Sequence, residues 1–170
     1  CTAPIRRRTA TVKSAKQRGN TRKMIDRQRL LADLKPLLRE MEADLRARCD
    51  EEPQVNADLT KEYEEARAAE RTGAAFEEWR ADLMTQVGVA WILSCVFVRF
   101  LEDNGLAAPA KLSGPAHADE GLQRARDERD LYFRASPTHS DRDYLLAVFA
   151  DIGKLPGAKE LFGQHNPVNE

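Results

Sequence analysis

Few side chains in this sequence are of a type and spacing that could do chemistry. His117, His139 and His165 are the only histidines. Each falls in a stretch that reads as a loop rather than on a helix face where a second ligand could be placed, so solvated imidazole fits them better than metal ligation. Cys1, Cys49 and Cys95 are odd in number, far apart and in no Cys-x-x-Cys spacing, a usage that suits a reducing intracellular compartment. Cys95 lies in the most apolar part of the chain, where nothing nearby in sequence would lower its pKa, and reads as a buried, inert thiol. The sequence has no P-loop, no Gly-rich dinucleotide turn, no His-Glu-x-x-His and no serine nucleophile elbow. On these residues alone, no catalytic, cofactor-binding or metal site is assigned.

Two charged groups remain as candidates. Arg99 stands one helical turn from Glu102 and Asp103. Long charged side chains beside Phe97 and Phe100 need partners, so the three read as a structural ion-pair cluster closing a helical bundle, with Arg99 bonded within its helix or across to Asp141 or Asp143. A ligand or DNA contact is the sharper alternative. The second group is the stretch 1–23, which carries eight Lys or Arg and no acid. With +8 there and −1 overall, the remainder of the chain carries −9. Arg6, Arg7, Arg8, Arg22 and Lys23 are candidate phosphate contacts, limited to salt-dependent, non-specific affinity because no recognition-helix motif accompanies them. The same stretch reads equally as an upstream extension, since Met24-Ile25-Asp26 resembles a natural start where the helical pattern begins.

These groups must be positioned by helices. Hydrophobic residues make up 42% and charged residues 32% of the chain, and alternating β-branched runs are almost absent, which predicts an all-α fold. The expected architecture is an irregular bundle of four to five helices around one central apolar helix, with a disordered basic tail at 1–23 and a single helical domain at 24–170. In the first helix Leu30, Leu31, Leu34, Leu37, Leu38, Met41 and Leu45 recur at three- and four-residue spacing, and Pro36 should kink it or begin a new one. A loop is expected over 50–53. Asn56 should cap a second helix bearing Leu59, Tyr63, Ala66 and Ala69.

The central helix is expected from a cap at Thr72 to a glycine stop at Gly105. The apolar run Val87 to Val98 spans twelve residues, short of the roughly 20 that cross a bilayer, so a soluble core helix is expected. Trp79 and Trp91 invite base stacking, but in this context they read as core. After a loop over 107–118 comes a charged helix from about Asp119 to Arg134, anchored by Leu122, Leu131, Tyr132 and Phe133. Ser140 and Asp143 form a capping-box-like start to the next. A short terminal helix holding Leu161 and Phe162 and a connector at 163–167 complete the expectation.

The segments Phe76-x-x-Trp79, Val89-Ala90-Trp91-Ile92-Leu93, Phe97-Val98-Arg99-Phe100-Leu101-Glu102-Asp103-Asn104-Gly105-Leu106, Asp141-Arg142-Asp143-Tyr144-Leu145-Leu146 and His165-Asn166-Pro167 together resemble the N-terminal region of the adenine-specific DNA methyltransferases of bacterial phage-growth-limitation and bacteriophage-exclusion (BREX) defence systems. The resemblance starts at about Met24. It implies a much longer cytoplasmic parent in which an S-adenosylmethionine-binding α/β domain methylates adenine N6 in DNA. The family's Gly-rich cofactor loop and Asn-Pro-Pro-Tyr-like motif do not occur here, and Asn166-Pro167-Val168 is no substitute, so no catalytic or cofactor residue carries over. A flipped adenine needs an aromatic and polar pocket beside the methyl donor, which a helical segment alone does not supply.

The implied partners are the catalytic domain of the same parent, DNA through that parent, and other phage-defence proteins, with no membrane. A stand-alone helical interaction module and a non-specific DNA-binding protein using the tail are the alternatives. A segment of a larger enzyme should expose an apolar patch, expected near Trp79 to Val89 or on the first helix.

Overall fold

The structure, a computed structural model, describes residues 26–114, 119–163 and 166–169. The basic stretch with Arg6, Arg7, Arg8, Arg22 and Lys23, together with His117 and His165, lies outside the described residues. Five α-helices follow one another, α1 (Arg27–Glu51), α2 (Pro53–Ala68), α3 (Phe76–Asp103), α4 (Asp119–Ala135) and α5 (Asp141–Ile152), then a short 3-10 turn at Pro167–Asn169. No strand occurs among the described residues. The fold is all-α, as the composition and periodicity predict.

Helix α1 begins where Asp26 accepts hydrogen bonds from the backbone N–H groups of Gln28 (3.0 Å) and Arg29 (3.2 Å), the ordinary N-cap arrangement. It runs without a break through Pro36, where a kink or restart is expected. Packing accounts for this: Leu30, Leu34, Leu38, Met41 and Leu45 form a half-buried stripe that ends at buried Cys49, and α1 lies along α3. The expected loop at 50–53 shrinks to Glu52 alone, because Pro53 occupies the first position of α2, where its fixed φ and missing N–H cost nothing. Asn56 is therefore inside α2 rather than its cap, and its carbonyl accepts the Thr60 hydroxyl (2.8 Å).

Thr72 does not cap α3, which starts four residues later with Ala75 at the N-cap and no side-chain cap bond. The Thr72 hydroxyl accepts the Ala74 N–H instead (3.2 Å), while Glu77 and Glu78 in the first turn offset the helix dipole. Tyr63 of α2 reaches over this junction. Its hydroxyl donates to the Ala74 carbonyl (2.9 Å), and its ring meets Phe76 and Trp79 at 5.3 and 5.5 Å.

α3 is the spine, and different partners pack on its two halves. Along its first half, Gly88 lets α1 come close: a Cβ there would stand 2.9 Å from Leu38 Cδ1. Arg80 is held by Asp50 at the end of α1 and by Glu77 of its own helix, both at 2.9 Å, and the Thr85 hydroxyl donates to Glu42 of α1 (2.6 Å). Along its second half, Val98 and Leu101 form the main core with Tyr144, Val148, Phe149 and Ile152 of α5. Trp91 packs on Phe149 (5.5 Å) and Phe149 stacks on Phe162 (5.3 Å), so Trp91 is a core side chain. The capping box at Ser140 and Asp143 that starts α5 is present in both directions.

Three expectations about the second half are corrected. Leu122 and Leu131 are exposed on α4; the helix is anchored by Gly121 and Ala125, both buried, with half-buried Tyr132 and Phe133. Small residues do this because the neighbouring chain approaches too closely for Leu. Leu161 and Phe162 sit in a run of turns, and the stretch expected as a connector ends in Pro167–Asn169, where Val168 is buried in the core. Finally, the full 28-residue α3 is by length and composition apolar enough to cross a membrane, although its sides pack against α1, α2 and α5.

Candidate functional site

The charged end of α3 is the one place among the described residues where ionic side chains and backbone polar groups converge below the surface. α3 stops in a Schellman motif: Gly105 adopts φ 68°, the Gly105 N–H donates to the Glu102 carbonyl (3.0 Å) and the Leu106 N–H to the Leu101 carbonyl (2.9 Å). A left-handed residue is required here and glycine supplies it without a Cβ penalty. The chain then reverses and returns as 111–114 beside the helix it has just left.

Glu102 receives that returning segment. It is 2% exposed, and its carboxylate accepts four backbone N–H groups, Lys111 (2.6 Å) and Leu112 (2.8 Å) on Oε1, Ser113 (3.0 Å) and Gly114 (2.9 Å) on Oε2. Burial by itself would raise its pKa. The four amides favour the charged form more strongly and hold the carboxyl below its ordinary value. Buried charge is thus matched by converging dipoles, which is how a carboxylate is tolerated in a core.

Arg99 and Asp103 complete the arrangement. Arg99 contacts Glu102 Oε2 at 3.7 Å and Asp103 at 3.0 Å, and its guanidinium also donates to the Gly114 carbonyl. The structure therefore brings Arg99, Glu102 and Asp103 into one cluster within α3. It does not connect Arg99 to the two acids of α5: Asp141 pairs with Arg129 (2.6 Å) and Asp143 caps α5.

Gly114 and Lys111 are participants that residue spacing did not reveal. Gly114 has φ 68°, and a Cβ on it would lie 2.5 Å from the Gly121 Cα, so two glycines let the loop touch α4. Lys111 bridges Glu128 of α4 (3.1 Å) and Asp151 of α5 (3.7 Å). Its carbonyl accepts the Tyr144 hydroxyl (2.7 Å), and burial, with Glu128 and Glu102 nearby, pushes that phenol up to about 12. One sequence signal did exist: Glu102 follows Val98 and Leu101 on a core face, so its carboxylate had to find donors.

The other reactive groups stand apart. Cys49 is buried and Cys95 half-buried, both unpaired, and burial raises both thiols. His139 is exposed, with Nδ1 2.6 Å from the Tyr132 hydroxyl. An open cleft of about 260 Å³ lies between the loop at 111–112, α4 and α5, lined by Lys111, Leu112, Ala125, Arg126, Arg129, Asp141, Tyr144 and Leu145. Two of its cations are already engaged, Arg129 by Asp141 of the same cleft and Lys111 by Glu128 and Asp151, and no Gly-rich turn of the kind that cradles S-adenosylmethionine follows a strand in the described residues. Chemically, the cluster can fasten a loop; it presents no nucleophile or acid–base pair to a substrate.

No family model and no solved structure matches the chain. It is 39% identical over 146 residues to the adenine-specific methyltransferase PglX of Streptomyces coelicolor, which takes in 85% of this chain. The matched stretch is only 12% of that relative. The resemblance seen in the sequence thus holds over most of the chain and a small part of the relative: an all-helical segment, built around the apolar helix that ends at Asp103, is similar to one piece of PglX.

Proposed function

We propose that the chain is the N-terminal helical portion of an S-adenosylmethionine-dependent, adenine-specific (N6) DNA methyltransferase of a phage-defence (BREX-type) system, acting in the cytoplasm. The observation that carries this reading is 39% identity over 85% of the chain against 12% of the relative. Methyl transfer is the work of the rest of such a polypeptide. Within it, this segment is a packing and positioning unit for the catalytic domain, and DNA and other defence proteins are partners of the whole enzyme. The Glu102 cluster suits such a positioning unit because it fixes the 111–114 loop against the end of α3.

The test is methyl incorporation from labelled S-adenosylmethionine into genomic DNA. The 170-residue chain alone should give none, whereas the polypeptide encoded by the full reading frame should label adenine. Labelling by the isolated chain, or none by the full product, would overturn the proposal.

A further inference from the structure

One strip of α3 is left largely open among the described residues. Val89, Leu93, Val96 and Phe100 recur at steps of four, three and four, which puts them on one strip of a 3.6-residue helix. Leu93 is 55% and Phe100 49% exposed, with Val89 and Val96 half-buried beside them. Polar residues close the strip, Asp82 and Gln86 before it and Asp103 after it. Of the two places expected for an apolar patch, the first helix does expose Leu31 and Leu37, whereas no large hydrophobic residue between Trp79 and Val89 is exposed; on α3 the exposure falls further along, at Leu93 and Phe100.

We propose that the strip Val89–Leu93–Val96–Phe100 is the docking face for the part of the longer methyltransferase polypeptide that lies outside this chain, which seats a helix-sized apolar surface on it. The inference rests on the reading given under Proposed function and names the partner surface that reading requires. Two observations choose this occupant. The match of 146 residues is 12% of the relative, so most of such a polypeptide lies elsewhere and is available to cover the strip. The strip is about 16 Å long at 1.5 Å per residue, the span of an ordinary 10–14-residue helix and about half of a bilayer's hydrocarbon core. Residues 1–25, outside the described residues, offer Ile5, Val12, Met24 and Ile25 as large apolar side chains, not at the three- and four-residue spacing of one helical face that could match the strip.

The test introduces a thiol by Leu93→Cys in both the 170-residue chain and the full reading-frame product, and follows maleimide labelling at that position by peptide mass mapping. Labelling in the short chain should be that of an exposed thiol, and at least tenfold slower in the full product. Equal rates in both would overturn the inference while leaving the proposed function standing, provided the full product still methylates adenine. Protection in the short chain that grows with concentration and accompanies a dimer mass would assign the face to a second copy and overturn it. So would protection that appears only on adding phosphatidylcholine vesicles. A frame with no further coding sequence would remove the proposed function and the inference together. As a second variant, Phe100→Asp should lower the melting temperature of the full product and leave that of the short chain unchanged; the same loss in both would mean that Phe100 serves only the internal packing of this segment.

Discussion

Glu102→Gln keeps the size of the side chain and removes its charge, so it isolates what the carboxylate does. In the native structure both oxygens are used, with two N–H donors on each. An amide keeps one acceptor oxygen and turns an NH2 group toward the other two N–H donors. A buried donor left without a partner costs about 1–3 kcal/mol, so the two together would cost about 2–6 kcal/mol. The loop can relax outward and hydrate, which places the expected loss near the lower half of that range, about 3 kcal/mol. Against a domain stability of about 5–15 kcal/mol this is a large fraction.

Urea unfolding followed by circular dichroism should show the loss, and amide hydrogen exchange should show it selectively at 111–114. The pH dependence is a second signature. Because the folded carboxyl lies below its ordinary value, its stabilisation is fully present above the unfolded value of about 4.3 and disappears as pH falls through the folded one, so native and variant curves should converge on acidification. A loss under about 0.5 kcal/mol, the range of a surface substitution, with unchanged exchange at 111–114, would refute the clamp.

Three other outcomes are expected. Gly114→Ala should cost about 3 kcal/mol by chemical denaturation, since it combines a left-handed φ with a Cβ driven into the Gly121 backbone. Glu70→Gly should stabilise by about 0.5–1 kcal/mol, because Glu70 ends α2 at φ 53° with the Arg71 N–H bonded to the Ala66 carbonyl, a position glycine fills without strain; a loss of stability would show that the Glu70 side chain matters more than its backbone. Tyr144, with its phenol pushed up to about 12, keeps its proton in the folded state after the unfolded chain has lost it. Stability should therefore hold up to about pH 10 and fall by about 3 kcal/mol toward pH 12, a limb that Tyr144→Phe should abolish.

Much of this architecture is legible in the residues because local physics and packing agree there. Gly105 after a charged helix end, and Ser140 three residues before Asp143, specify a stop and a start by backbone chemistry alone. Where the reading fails, tertiary contact has overridden a local signal. Pro36 stays inside α1 because the stripe from Leu30 to Cys49 is held against α3. Thr72 and Asn56 are good caps in isolation, yet Pro53 already begins α2 upstream of Asn56, and the Tyr63 hydroxyl on the Ala74 carbonyl places the turn so that α3 begins at Phe76.

The cluster at the end of α3 is half legible in the same sense. The spacing of Arg99, Glu102 and Asp103 shows that they can meet. That Glu102 would bind the amides of a loop nine to twelve residues ahead depends on a chain reversal whose return path only the packing of Gly114 on Gly121 defines. The burial of Gly121 and Ala125 on α4 is illegible for a related reason: hydrophobicity points to Leu122 and Leu131, whereas close approach selects the smallest residues.

The central claim, that this is a helical portion of a methyltransferase whose chemistry resides elsewhere in the polypeptide, is tested most directly by reading the coding frame beyond the codon for Glu170. The account requires the frame to continue into a Gly-rich cofactor loop and an Asn-Pro-Pro-Tyr-like motif. A stop codon there, with neither motif downstream in frame, would contradict it and leave a self-contained helical protein whose likeness to the enzyme is one of ancestry alone.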